Sequence, residues 1–113
     1  SIQWDKSTVA DFLGHYLTEP KAHVFYDAPD EPLDEDAFVQ ALAEQGLWLD
    51  LKSQILFTEQ QVYANGEIQE ADAADRADWE TLANRRRLPA GQYSESLTDA
   101  LYEGYLSGFW HVH

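Results

Sequence analysis

The chain contains no cysteine, which excludes disulfides, thiol nucleophiles and thiolate metal sites together. It has no run of about 18 apolar residues to read as a membrane-spanning helix, and no basic-then-apolar opening of the signal-peptide kind. Positive charge is scarce, with seven Lys and Arg against 21 Asp and Glu for a formal net charge of -14. Such a field repels phosphate backbones, so nucleic acid is not an expected partner, whereas a basic protein is. The six glycines (14, 46, 66, 91, 104 and 108) never form G-x-G-x-x-G or a P-loop, and no G-x-S-x-G elbow presents a nucleophilic serine. These absences predict a cytoplasmic domain outside the common nucleotide-binding and hydrolase classes.

Apolar and aromatic residues are plentiful, at 44% and 13% of 113 residues, enough for one modest core despite the charge. In "KSTVADFLGHYLTE" the positions Val9, Phe12, Leu13, Tyr16 and Leu17 fall on one helical stripe. Ser7 is an expected cap and Pro20 a stop. This helix begins with almost no lead-in, as a piece of a longer protein would. Residues 19–33 hold three of the prolines and read as an extended connector whose Val24-Phe25-Tyr26 centre packs on something. Asp34 is a good N-cap for "EDAFVQALAEQ", Leu33 and Phe38 suit a hydrophobic staple, and Gly46 stands where a C-terminal glycine belongs.

After Gly46 the period becomes two. "LWLDLK" alternates Leu47, Leu49 and Leu51 with Trp48, Asp50 and Lys52, a half-buried strand. "QILFT" and "QVYAN" flank Glu59-Gln60 as a hairpin, and Asn65-Gly66 turns the chain again before "EIQ". A capping box from Asp75 to Asp78 is expected to open the next helix, with Trp79, Leu82 and Ala83 inward and Pro89 closing it. A second box, Ser96 to Asp99, precedes a helix aligning Leu97, Leu101 and Tyr105. Gly108 is its expected C-cap, and "FWHVH" a last short strand. The economical packing is a two-layer α+β, winged-helix-like domain, helices on a short antiparallel sheet and hairpin, preceded by an amphipathic helix. Residues 1–33 read as helix and connector, and 34–113 as the winged-helix unit.

Chemistry is thin. None of His15, His23, His111 and His113 is followed two residues later by Asp or Glu, so the usual His-x-carboxylate motif of a mononuclear iron site is missing. On a strand, His111 and His113 would face the same side, which leaves Zn or Cu chelation open given a third ligand. The acidic runs "DEPLDED" and "EADAADRAD" read as solvated helix starts rather than catalytic pairs. Arg85, Arg86 and Arg87 form the one basic cluster and offer a surface contact, even a DNA-reading one. In the last turn of a helix, however, they favour its negative end and neighbouring acids. No residue is expected to be catalytic, cofactor-binding or metal-binding.

As an ordered whole, the chain resembles the C-terminal region of the bacterial cupin-like (JmjC-type) ribosomal oxygenases, the ribosomal-protein arginine hydroxylases. The resemblance runs from Val9 to Trp110. It is carried by "ADFLGHYL", the acidic connector "YDAPDEPLDED", "LAEQG" before "LWLDL", "VYANGEI", "LANRRRL" and "LSGFW". It implies a parent with an Fe(II)- and 2-oxoglutarate-binding barrel, dimerised through a helical region. This chain would be its non-catalytic winged-helix-like accessory domain, with Asn65 and Gly66 as a structural turn. Implied partners are the catalytic cupin domain, a second copy through the parent's dimer, and a basic ribosomal-protein substrate. The alternative is a free-standing acidic protein-interaction module.

Overall fold

The computed structural model describes residues 6–22 and 24–112. Four helices and six short strands follow in the order α1 (Lys6–Thr18), α2 (Glu35–Gln45), β1 (Leu47–Leu49), β2 (Ile55–Phe57), β3 (Val62–Ala64), β4 (Glu67–Gln69), α3 (Ala73–Arg85), β5 (Arg87–Leu88), α4 (Glu95–Leu106) and β6 (Trp110–His111). The strands make two antiparallel three-stranded sheets, β5-β1-β6 and the meander β2-β3-β4. This is an α+β winged-helix domain, with helices covering small sheets.

Each described N-cap is an oxygen-bearing side chain in extended backbone, which satisfies an orphan amide of the first turn. Asp34 accepts from Ala37 at 2.8 Å, Asp72 from Asp75 at 2.9 Å and Ser94 from Leu97 at 3.1 Å. Two of the sequence expectations therefore shift. The helix after β4 is capped by Asp72 rather than opened at Asp75, and α4 is capped by Ser94 rather than Ser96. The reason is tertiary: Asp75 is 3% exposed and takes hydrogen bonds from the Ser94 hydroxyl at 2.6 Å and the Ser96 hydroxyl at 2.9 Å. One buried carboxylate thus ties the first turn of α3 to the start of α4. At its other end α3 stops at Arg85, where Arg86 turns left-handed at φ 58 and frees Arg87–Leu88 to pair with β1, well before Pro89. The cap of α1 falls outside the described residues, and Ser7 already lies within the helix.

The core joins α2, α3 and α4 to both sheets. Phe38, Leu47, Leu82 and Leu101 are fully buried, and Trp79 and Trp110 meet edge to face at 5.8 Å between ring centres. Burying a side chain of this size contributes about 1.5–3 kcal/mol. Leu33 packs on the core where the staple pattern puts it, and α4 holds its backbone. The Leu33 amide donates to the Tyr105 hydroxyl at 3.0 Å, while the Tyr102 hydroxyl donates to the Leu33 carbonyl at 2.9 Å.

One expectation fails and another holds only in part. The period-two strand ends at Leu49, and Leu51 is 90% exposed. The Asp50 carboxylate captures the Lys52 amide at 2.9 Å and the Asp50 carbonyl that of Ser53 at 3.0 Å, a side-chain-supported turn that competes with the ladder. In the connector, Tyr26 packs edge to face on Phe109, but Phe25 is 81% exposed.

Candidate functional site

The Asn-Gly turn is where three parts of the chain meet. Asn65 and Gly66 take φ 52 and 87, which lets β3 and β4 pair in register, Ala64 opposite Glu67. Both peptide groups of Gly66 are then claimed by α1. The Gly66 amide donates to the Thr18 hydroxyl at 2.8 Å, and that hydroxyl donates back to the Gly14 carbonyl at 2.7 Å. His15 Nδ1 stands 2.6 Å from the Gly66 carbonyl, and because a carbonyl only accepts, this nitrogen carries the proton. A Cβ on Gly66 would lie 2.9 Å from Glu19 Cβ, so the position is closed to side chains by contact as well as by φ.

Beside the turn, α1 lies across β3. A Cβ on Gly14 would sit 2.5 Å from the Tyr63 ring, and the Tyr63 hydroxyl donates to Asp11. Burial, reinforced by the Asp11 carboxylate, pushes the Tyr63 phenol up to about 12, so it remains a donor at neutral pH. The inward positions Asp11, Gly14, His15 and Thr18 are polar or small. The apolar stripe consequently points away: Phe12 is 62% exposed, Tyr16 53% and Leu17 50%, with Val9 and Leu13 also open. Phe12 and Tyr16 stack on each other at 6.1 Å on that outer face.

On the opposite face of the hairpin is a cleft of about 520 Å³. Ala64, Asn65, Glu67 and Gln69 form one wall, and Ala100, Glu103 and Gly104 of α4 with its C-cap Ser107 form the other. Phe109 and Trp110 close it, with Pro20 at the rim. Gly104 lets Trp110 in, since a Cβ there would lie 2.0 Å from the indole, whose Nε1 donates to the Leu101 carbonyl at 2.6 Å. Asn65 is 8% exposed, and neither oxygen nor nitrogen of its amide has a hydrogen-bond partner. A buried polar group left unpaired costs about 1–3 kcal/mol, so this amide stands out among the buried side chains of the described residues. The Asn-Gly dipeptide signals a turn; nothing in it signals the cleft behind it.

The three arginines part company. Arg85 ends α3 in solvent, Arg86 reaches the Asp50 carbonyl at 2.8 Å and the Ser53 carbonyl at 3.3 Å, and Arg87 lies on β5, 3.5 Å from the Gln45 carbonyl. Only Arg85 stands in the last helical turn, and among the described residues none of the three pairs with an acid; backbone carbonyls take that place. His111 of β6 donates from Nε2 to the Asp50 carboxylate, just after β1, at 2.8 Å. Burial alone would raise the Asp50 carboxyl, but the hydrogen bonds from His111 and from the Lys52 amide and ammonium outweigh it and hold the carboxyl at about 2. His23 and His113 lie outside the described residues. Among the described residues no group of three or more His, Cys, Asp or Glu side chains comes together to hold a metal.

Residues 1–111 match the family described as ROXA-like winged helix. The chain belongs to that family. The fold of this ROXA-like domain recurs in the X-ray structure of E. coli ycfD, with a TM-score of 0.74 and 20% identity over 96% of this chain. It recurs at 0.73 and 22% in the E. coli ribosomal oxygenase YcfD with cobalt and 2-oxoglutarate, and at 0.72 and 22% in YcfD with cobalt and succinic acid. Identity at this level shows shared fold. The ROXA-like domain spans only 30% of the ycfD chain and 31% of those two YcfD complexes. No curated protein matches it in sequence. No described helix is long and apolar enough to cross a membrane.

Proposed function

We propose that this chain is the non-catalytic accessory domain of an Fe(II)- and 2-oxoglutarate-dependent ribosomal-protein oxygenase. In this reading residues 34–113 form the winged-helix unit, and residues 1–33 supply an arm whose helix docks on the rest of the parent. The carrying observation is the family match over a chain that spans only about a third of YcfD. The exposed stripe of α1 supports it. An apolar face of this kind is a docking surface when it is contiguous, and here the occupant proposed is the parent's catalytic barrel or its dimer partner. The net charge of -14 suits the reception of a basic ribosomal-protein substrate in the cytoplasm, and disfavours nucleic acid.

Two measurements test the reading. The isolated chain, given Fe(II), 2-oxoglutarate and a ribosomal-protein peptide, is expected to leave the peptide mass unchanged; hydroxylation would overturn the non-catalytic assignment. In the full-length parent, Phe12→Ser with Leu13→Ser is expected to lower the oligomeric mass in analytical ultracentrifugation or to release the domain to proteolysis. A parent that keeps both its mass and its protease resistance would overturn the docking role.

A further inference from the structure

We propose that Asn65-Gly66 is a deamidation site held closed by α1, and that release of α1 from the β3–β4 turn commits the turn to a one-way change. The reaction is intramolecular. The Gly66 amide nitrogen loses its proton and attacks the carbonyl carbon of the Asn65 side chain. The new C–N bond closes a succinimide ring, and the bond from that carbon to the NH2 group breaks to release ammonia. Water then opens the ring, leaving an aspartyl or isoaspartyl residue at position 65. Asparagine is among the thermolabile residues, and a following glycine lays no side chain across the path of its own nitrogen. The inference concerns the chain by itself and does not rest on the accessory reading.

The docked fold opposes each step. The Gly66 N–H donates to the Thr18 hydroxyl at 2.8 Å, and that hydroxyl donates its own proton to the Gly14 carbonyl at 2.7 Å. A hydroxyl is too weak a base to take an amide proton, so the nucleophile keeps it. The departing ammonia must gain a proton, yet the Asn65 amide is 8% exposed and has no hydrogen-bond partner to deliver one. Gly66 itself is pinned, its carbonyl by His15 Nδ1 at 2.6 Å and its Cα by the Cα and Cβ of Glu19. His15 and Thr18 belong to α1, and Glu19 follows directly. Because α1 keeps its apolar stripe outside, these contacts and the Gly14–Tyr63 contact are what hold it, and a helix held this way opens at less than the cost of global unfolding. Either product then blocks return. An isoaspartyl residue adds a backbone methylene between Ala64 and Gly66 and shifts the register that sets Ala64 opposite Glu67. An aspartyl residue puts a charge where even the neutral amide has no partner.

The test is a timed incubation at neutral pH of the 113-residue chain beside the blocked peptide QVYANGEIQ, residues 61–69. Mass spectrometry reads the exchange of NH2 for OH on the fragment carrying Asn65, and chromatography separates the aspartyl from the isoaspartyl product. The wild type is expected to deamidate at least tenfold more slowly than the peptide. Thr18→Val, which frees the Gly66 N–H, and Gly14→Ala, which crowds α1 off the Tyr63 ring, should each raise the rate fivefold or more. Thr18→Ser, which keeps the hydroxyl, and Phe12→Ser on the outer face should stay within twofold of wild type. In the deamidated protein, hydrogen exchange should find α1 unprotected and α4 still protected. A wild type as fast as the peptide would overturn the proposal, as would Thr18→Val and Gly14→Ala variants as slow as the wild type. Acceleration by Phe12→Ser equal to theirs, or full protection of α1 after deamidation, would overturn it too. All these results leave the accessory role standing, because that role is read from the activity and assembly of the full-length parent.

Discussion

Helices α1 and α4 carry the same kind of pattern and use it in opposite directions. In α4 the stripe Leu97, Leu101 and Tyr105 is buried, and the helix joins the core by apolar packing. In α1 the stripe Val9, Phe12, Leu13, Tyr16 and Leu17 faces out. The helix is fastened to the wing by its polar side instead, through Asp11 to Tyr63, His15 to the Gly66 carbonyl and Thr18 to the Gly66 amide. Hydrophobic spacing therefore reports that a helix has an apolar face, without reporting whether that face is buried within the same domain.

The contrast can be broken at either helix. The largest loss is expected from Leu101→Ala, about 2–5 kcal/mol, because the site is fully buried and the surrounding core relaxes only partly. Urea unfolding should show a lower midpoint with an unchanged slope, and a change below about 1 kcal/mol would contradict the packing described. Gly14→Ala should cost about 1–3 kcal/mol, since its Cβ would have to displace the buried Tyr63 ring. Hydrogen exchange should locate that loss in α1 and β3 and leave α4 protected; a global loss of protection would mean α1 belongs to the main core.

Acid sharpens the comparison, because the Asp50 partners His111, Lys52 and Arg86 all belong to the body of the domain rather than to α1. Its carboxyl is held at about 2 in the fold, below the ordinary 3.8, by His111 and Lys52 acting against burial. A folded value below the unfolded one stabilises above the unfolded value and is lost as protons return, here between about pH 4 and pH 2. The loss amounts to roughly 2 kcal/mol, read as the fall in urea midpoint of the wild type over that range. Asp50→Asn should flatten the fall, and parallel curves for the two proteins would remove Asp50 as its source. The smallest effect is expected from Phe12→Ser or Leu13→Ser in the isolated chain, within about 0.5 kcal/mol, because these side chains are exposed. A loss above 1 kcal/mol on urea unfolding would place the stripe inside the domain after all.

Much of the element order is legible in the residues. Asp34 and Gly46 bracket α2, and Asn65-Gly66 joins two short strands. The failures share one cause. Asp75 carries the marks of a cap yet is an interior tie, because the hydroxyls of Ser94 and Ser96 converge on it from a helix about 20 residues away. Leu51 carries the marks of a strand yet stands in solvent, because the Asp50 side chain bends the chain first. The arginine triplet looks like a patch, but Arg86 is turned inward to the carbonyls of Asp50 and Ser53.

Residue types, their spacing and the charge determined that this chain has acidic surfaces, amphipathic helices, short strands and no thiol chemistry. Those are properties of local backbone preference and of composition, which neighbours in sequence decide. Tertiary structure decided which face of α1 meets the wing and where the cleft lies. The first depends on Gly14 admitting the Tyr63 ring and on two hydrogen bonds to Gly66. The second depends on Gly104 admitting Trp110 and on the buried amide of Asn65. Contacts between residues some 50 positions apart exist only once the chain is packed, and a linear pattern carries no direct signal for them.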